Sequence, residues 1–192
     1  MNTSLIFNEI EERLNHETKQ EQQIIQHPEW REGVIWGKPR FGHPEGKVLY
    51  HIEEVLENVE KLNTNELTRQ HLRFITLTHD TFKYKEHRGF PRDWSQHHAV
   101  IARQFSEKFT ENQAILNIIE LHDEAYYIWK LQRKPLQKKA AQKRLDDLLL
   151  RLDNNLQLFY LFFKCDTQTG DKTQVPITWF EETIKNIDII IF

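Results

Sequence analysis

Apolar residues return at i, i+3, i+4 and i+7 along nearly the whole chain, and no stretch alternates apolar with polar residues between turn signals for long enough to make a strand. The pattern predicts an all-α protein. Helices are expected over 3–26, 47–62, 66–83, 93–109, 111–131, 136–150, 153–166 and 176–187, with Pro135 breaking or kinking the path between the fifth and the sixth. Gly33, Gly37, Gly42 and Gly46 share residues 28–46 with Pro28, Pro39 and Pro44, which marks one long loop ahead of the second helix. A second loop is expected around Lys85 to Pro91. No internal repeat or low-complexity segment divides the chain, so residues 1–192 are expected to form one domain.

Composition narrows the class. A chain of 192 residues with 39 % hydrophobic side chains can bury a real core, which excludes disorder. The 26 basic and 29 acidic side chains nearly cancel, so there is no global pull toward nucleic acid or an anionic membrane. Cys165 stands alone, which excludes a disulfide framework or a thiolate zinc site and favours a reducing compartment. The opening MNTSLIFNEIEERL has no basic segment followed by an apolar run, and the longest apolar run, Leu158 to Phe163, is far short of the ~20 residues that cross a membrane. A cytoplasmic protein without membrane contact is expected. The unusual number is ten histidines, because imidazole is the side chain most often recruited for metals and for proton transfer near neutrality.

Several of these histidines fall in phase with the apolar stripes. His51 follows Val48 by three residues and precedes Val55 by four. Leu72 and Ile75 lead to His79, with Asp80 adjacent. Trp94, His98, Ile101 and Phe105 form one stripe, whereas His97 lies about 100° away, so His98 is expected to point inward. Ile115, Ile118 and Ile119 lead to His122, and Phe159, Phe162 and Phe163 lead to Asp166. A buried polar group without a partner costs roughly 1–3 kcal/mol, and a carboxylate more. Two carboxylates cannot pair four neutral imidazoles by direct hydrogen bonds, but one or two divalent cations would satisfy the whole set.

The order H…HD…H…H…D on an all-α chain resembles the HD-domain superfamily of metal-dependent phosphohydrolases, from about Val48 to Asp166. The dyad stands in THDTFK, so Lys83 takes the place of the Lys in HDxxK, and LFFKCDTQTGDK looks like the family's closing helix. A second HD pair stands at His122-Asp123, and no GYP tripeptide follows. The resemblance implies an HD-type helical bundle with a metal-binding core at about 48–166, preceded by the N-terminal helix and loop (1–47) and followed by a C-terminal helix (176–192). It implies that His51, His79, Asp80 and Asp166 bind a first metal, and that His98 and His122 add a second ion bridged by Asp80. The mixed nitrogen and oxygen set suits manganese, iron, cobalt, nickel or zinc better than calcium.

The chemistry implied is attack of a metal-activated water on a nucleotide or other small phosphate ester, as mono- or diesterase, without a protein nucleophile. Asp80 and Lys83 are the expected catalytic residues, Lys83 holding a phosphate oxygen or the leaving group. Arg40, His43 and Lys47 in the glycine-rich loop are expected to bind substrate. The alternative is a di-iron oxygenase, similar to myo-inositol oxygenase, which uses the same six ligands; the cationic residues favour hydrolysis. A catalytically silent domain would lack a ligand, and none is missing. Lys130, Arg133, Lys134, Lys138, Lys139, Lys143 and Arg144 form a basic stretch with no acidic residue, beside Tyr126, Tyr127 and Trp129. It is expected to be mainly a solvated face, nucleic acid being the less favoured partner. The terminal DIIIF is open to burial on its own core or against a second copy of the chain.

Overall fold

A computed structural model describes residues 3–87 and 89–191. Among them there are helices, turns and loops but no strand, only one isolated bridge between Arg40 and His43. The helices are α1 (Thr3–Leu14), α2 (Lys19–Gln26), α3 (Pro28–Val34), α4 (Val48–Glu60), α5 (Glu66–Thr78), α6 (His98–Ser106), α7 (Gln113–Leu121), α8 (Glu124–Gln132), α9 (Lys138–Leu152), α10 (Leu156–Thr167) and α11 (Val175–Thr183). The all-α expectation is met.

The central element is α5. Every residue from Leu72 to Thr78 is buried, and the helix packs against α2, α4, α6, α7 and α10. A helix buried on all sides at its C-terminal end, with Arg73, Thr76 and Thr78 satisfied by hydrogen bonds there, lies inside the bundle, and the His79-Asp80 pair follows directly on that end. Asn65 caps its start, accepting the Thr68 amide at 2.9 Å.

Five expected elements differ, each for a local reason. The span 3–26 is two helices, because Asn15 turns the chain at φ 43° and Arg73 of α5 donates to the Leu14 and Asn15 carbonyls, closing α1. Arg73, itself buried, also pairs with buried Glu21 at 3.0 Å, which staples α2 to α5. The loop 28–46 opens with a helix, since Pro28 sits at the first helical position behind His27, whose Nδ1 accepts the Glu29 amide. The span 93–109 begins with a short 3-10 turn over Trp94–Gln96, and the α-helix starts only at His98. The span 111–131 breaks at His122-Asp123, as α5 breaks at His79-Asp80, well before the expected end at Lys83. At both breaks the imidazole turns back onto the carbonyl three residues earlier: His79 Nδ1 lies 3.0 Å from Thr76 O and His122 Nδ1 2.8 Å from Ile119 O. A side chain thus satisfies a carbonyl left open at the helix end.

The tail lies partly on the core: Ile187 and Ile190 pack against it while Ile189 and Ile191 are exposed. Phe192, the last residue of DIIIF, and Met1-Asn2 of the opening segment lie outside the described residues. No helix among the described residues is long and apolar enough to cross a membrane.

Candidate metal centre

The six expected side chains meet in the middle of the bundle. His51 comes from the first turns of α4, His79 and Asp80 from the end of α5, His98 from the start of α6, His122 from the end of α7 and Asp166 from the last turn of α10. All four imidazoles are buried.

They form two clusters that share one carboxylate. In the first, His51 Nε2 stands 3.3 Å from His79 Nε2 and 2.9 Å from Asp166 Oδ1, and both imidazoles face Asp80 Oδ2 at 3.6 Å. In the second, His98 Nε2 and His122 Nε2 are 3.3 Å apart, and both face Asp80 Oδ1, at 3.4 and 3.3 Å. Donors bonded to a transition ion at about 2.1 Å sit roughly 3.0–3.5 Å from each other. The observed spacings fall in or near that range.

The outer nitrogens explain why a cation fits. His79 and His122 donate Nδ1–H to helix carbonyls. His51 Nδ1 faces Thr169 Oγ1 at 3.5 Å, whose own proton goes to Asp166 O, and Glu45 Oε1 at 3.7 Å. His98 Nδ1 faces Glu86 Oε2 at 3.7 Å. With Nδ1 of His79 and His122 hydrogen-bonded outward and Nδ1 of His51 and His98 turned toward outer oxygens, the Nε2 atoms converge in pairs. Asp80 Oδ1, fully enclosed, has no hydrogen-bond partner there. Converging lone pairs and an orphaned carboxylate oxygen are the signature of a site built for positive charge.

The titration behaviour of the ligands fits the same picture. Burial works against the Asp80 charge, but Lys83 and His79 outweigh it and hold the carboxyl well below its usual range. Asp166 is held low against burial by Lys172 and His51. Burial, opposed by Asp80 and Asp166 but joined by the neighbouring His122 and His51 imidazoles, pushes His79 down to about 3, whereas at His122 burial is outweighed by Asp123 and Asp80, which lift the imidazole to about 9. A proton on His122 and the Lys83 ammonium, paired with Asp80, stand where a metal cation would compensate charge.

Sequence reasoning misjudged one histidine and passed over several neighbours. His97, expected about 100° away from the inward stripe, is buried beside His98: it caps α6, its Nδ1 accepting the Ala99 amide at 3.2 Å. The rotation argument assumed a helix through residue 97, and the helix begins one residue later. His97 Nε2 faces Glu86 and Asp123 at 3.6 and 3.8 Å. Asp123 Oδ2 lies 3.4 Å from His98 Nε2 and 3.7 Å from His122 Nε2, an additional carboxylate on the second cluster. The second HD pair was its signal. Lys172, six residues after Asp166 in the same motif, ion-pairs with it at 3.0 Å.

A cavity of about 360 Å³ opens onto the clusters. Its walls include Arg40, His43, Lys83 and Lys172 as polar groups and Phe41, Tyr126 and Phe163 as apolar ones. Arg40 and His43 therefore stand where expected. Lys47 does not line this cavity; it is exposed and its ammonium lies over the Tyr50 ring. The rim is tied together: Gly42 N donates to Asp171 Oδ1 at 2.7 Å, and Gly170 N to Glu54 Oε2 at 2.8 Å. Gly42 and Gly170 hold positive φ, at 81° and 54°, which glycine adopts without strain.

An all-helical bundle with histidines and aspartates converging from five helices defines a metal-binding helical protein. The HD domain family matches residues 48–152, more than half of the chain, and the chain belongs to that family. HD domains bind divalent metals and are mostly metal-dependent hydrolases. Asp166 lies beyond the matched residues, and the fold returns it to the site. No curated protein and no solved structure matches the chain.

Proposed function

We propose that the protein is a cytoplasmic, metal-dependent phosphohydrolase acting on a nucleotide or another small phosphate ester. The observation that carries this reading is Asp80: its two buried oxygens face two separate pairs of imidazoles, at the floor of a cavity lined by cationic side chains. His51, His79, Asp80 and Asp166 would hold one divalent transition ion; His98, His122 and Asp80, with Asp123, would hold a second. Bound there, such ions supply a water acidified toward neutrality and a seat for phosphoryl oxygens. Lys83 and Lys172 sit beside the carboxylates of Asp80 and Asp166, and their Nζ atoms can donate to phosphate oxygens. Arg40, unpaired with any carboxylate among the described residues, can grip a non-reacting oxygen, and Phe41, Tyr126 and Phe163 give the opposite wall an apolar surface. In the reaction, water oxygen bonds to phosphorus, the ester P–O bond breaks, and the departing oxygen takes up a proton, for which the Lys83 ammonium is the nearest donor beside Asp80.

The test is elemental analysis of protein purified without chelator or affinity metal, followed by turnover of generic phosphodiesters and phosphomonoesters with each metal. About two equivalents of transition metal together with ester hydrolysis support the reading. Two equivalents of iron, no hydrolysis and oxygen consumption would overturn it in favour of a di-iron oxygenase.

A further inference from the structure

Beyond the cavity, one face of α8 carries Tyr126, Trp129, Lys130 and Arg133 at i, i+3, i+4 and i+7, so all four share a stripe. Tyr126 belongs to the cavity wall. The Lys130 ammonium lies 5.2 Å from the centre of its ring, Trp129 is 5.7 Å from Tyr126 with the rings tilted by 32°, and the Arg133 guanidinium lies 5.0 Å over Trp129. Each aromatic ring of the stripe thus carries a cation over its face, Tyr126 at the cavity wall and Trp129 buried beneath Arg133.

The charge on this stripe is uncompensated. Among the described residues, every arginine except Arg40 and Arg133 is in an ion pair. Arg40 stands at the cavity and Arg133 at the far end of the stripe. Lys130, Lys134 and Lys138 make no ion pair either, and residues 130–144 contain no carboxylate. Lys138 and Lys139 occupy the first turn of α9, where cations oppose the helix dipole. Arg144 is the exception that marks the edge: it pairs with Glu124 and covers Tyr127, away from the stripe.

We propose that Tyr126, Lys130 and Arg133, continued by Lys134 and Lys138, form the track for a single-stranded polynucleotide whose end enters the metal cavity. One base stacks on Tyr126 and successive phosphates follow the cations. For what happens at the metal end this rests on the phosphohydrolase reading; for binding it does not.

The experiment is fluorescence anisotropy of labelled single-stranded DNA and RNA oligomers of about ten nucleotides, within the range one groove covers, with chelator present so that no hydrolysis occurs. Binding should weaken with salt at a log–log slope of about −2 to −3, as three or four phosphate contacts on a single strand require. K130E/R133E should weaken binding at least tenfold and flatten the slope by roughly 1.4, two contacts' share. Tyr126→Ala should cost about tenfold with the slope unchanged, because stacking does not release counterions. K19E/K185E, the same charge change elsewhere, should leave binding as it was. Equal affinity for DNA and RNA assigns recognition to the shared backbone and bases; an RNA preference adds the 2′-hydroxyl. No binding at low salt, equal loss in K19E/K185E, or equal affinity for a duplex of the same sequence would overturn the track. Hydrolysis of a chromogenic phosphodiester by the metal-loaded protein tests the earlier reading separately.

Discussion

The two halves of the centre are built differently around the same carboxylate. In the first, His51 and Asp166 project from within α4 and α10, where a long apolar stripe fixes their direction. In the second, no ligand lies in the body of a helix: His98 is the first residue of α6, His122 ends α7, and Asp123 stands between α7 and α8. The first half is framed by the cation Lys172 and the carboxylate Glu45. The second is framed by the carboxylates Glu86 and Asp123 and by His97. The first, His79 at the end of α5 apart, is therefore positioned by the bodies of helices, and the second by the ends of helices and the loops that join them.

The largest effect should come from the residue the halves share. Asp80→Ala should abolish binding of both metal equivalents and reduce ester hydrolysis to the uncatalysed level, whereas His51→Ala and His98→Ala should each remove one equivalent. Retention of a full equivalent by Asp80→Ala, read by elemental analysis, would show that the halves are independent. Asp123→Asn keeps the shape but removes the charge, and should weaken the second ion only.

A smaller effect is expected one layer out. Glu45→Gln should lower metal affinity about 10–100-fold in the first half and Glu86→Gln by a similar factor in the second, because each carboxylate faces the outer nitrogen of a ligating imidazole. Titration calorimetry of the two variants should show different steps affected. If both change the same step, the pairing of carboxylate to half is wrong.

The mildest test is pH, and the halves should respond with opposite sign. In metal-free protein, folded His79 stays neutral down to about 3 while the unfolded side chain binds a proton below about 6.5, so its share of stability is lost as pH falls through that window. His122 holds its proton up to about 9, so its share is present below about 6.5 and lost as pH rises through 9. Denaturant midpoints measured with chelator should peak near neutrality and fall on both sides. A steady rise through pH 9 would contradict the His122 environment. Metal entry into the second half should correspondingly release a proton, and calorimetry in buffers of different ionisation heat would read it.

The same contrast explains what the amino-acid pattern made legible. Helix phase turned His51, His79, His122 and Asp166 toward the bundle interior, where the structure places them, since each continues an apolar stripe of its helix. It failed at His97, because phase has meaning only inside a helix and residue 97 is a cap. It missed Asp123 because a single helix over 111–131 rotates residue 123 away, while the real break turns it toward His98. Glu45, Glu86 and Thr169 sit in loops whose paths no periodicity encodes. The loop residues Arg40 and His43 line the cavity, whereas Lys47, the N-cap of α4, is exposed over the Tyr50 ring.

The clasp between Gly42 and Asp171 joins residues 129 positions apart, and Thr169 reaches His51 across 118. His98 and His122 are separated by only 24. During synthesis from the amino terminus, α5, α6 and α7 can dock as a local unit, and the His98–His122 cluster can form with them. The His51 cluster must wait for α10 and the segment after it, because the long chain closure has to be completed first. The second cluster is thus assembled by contacts that lie close along the chain, and the first, together with the rim of the cavity, by contacts that span most of it.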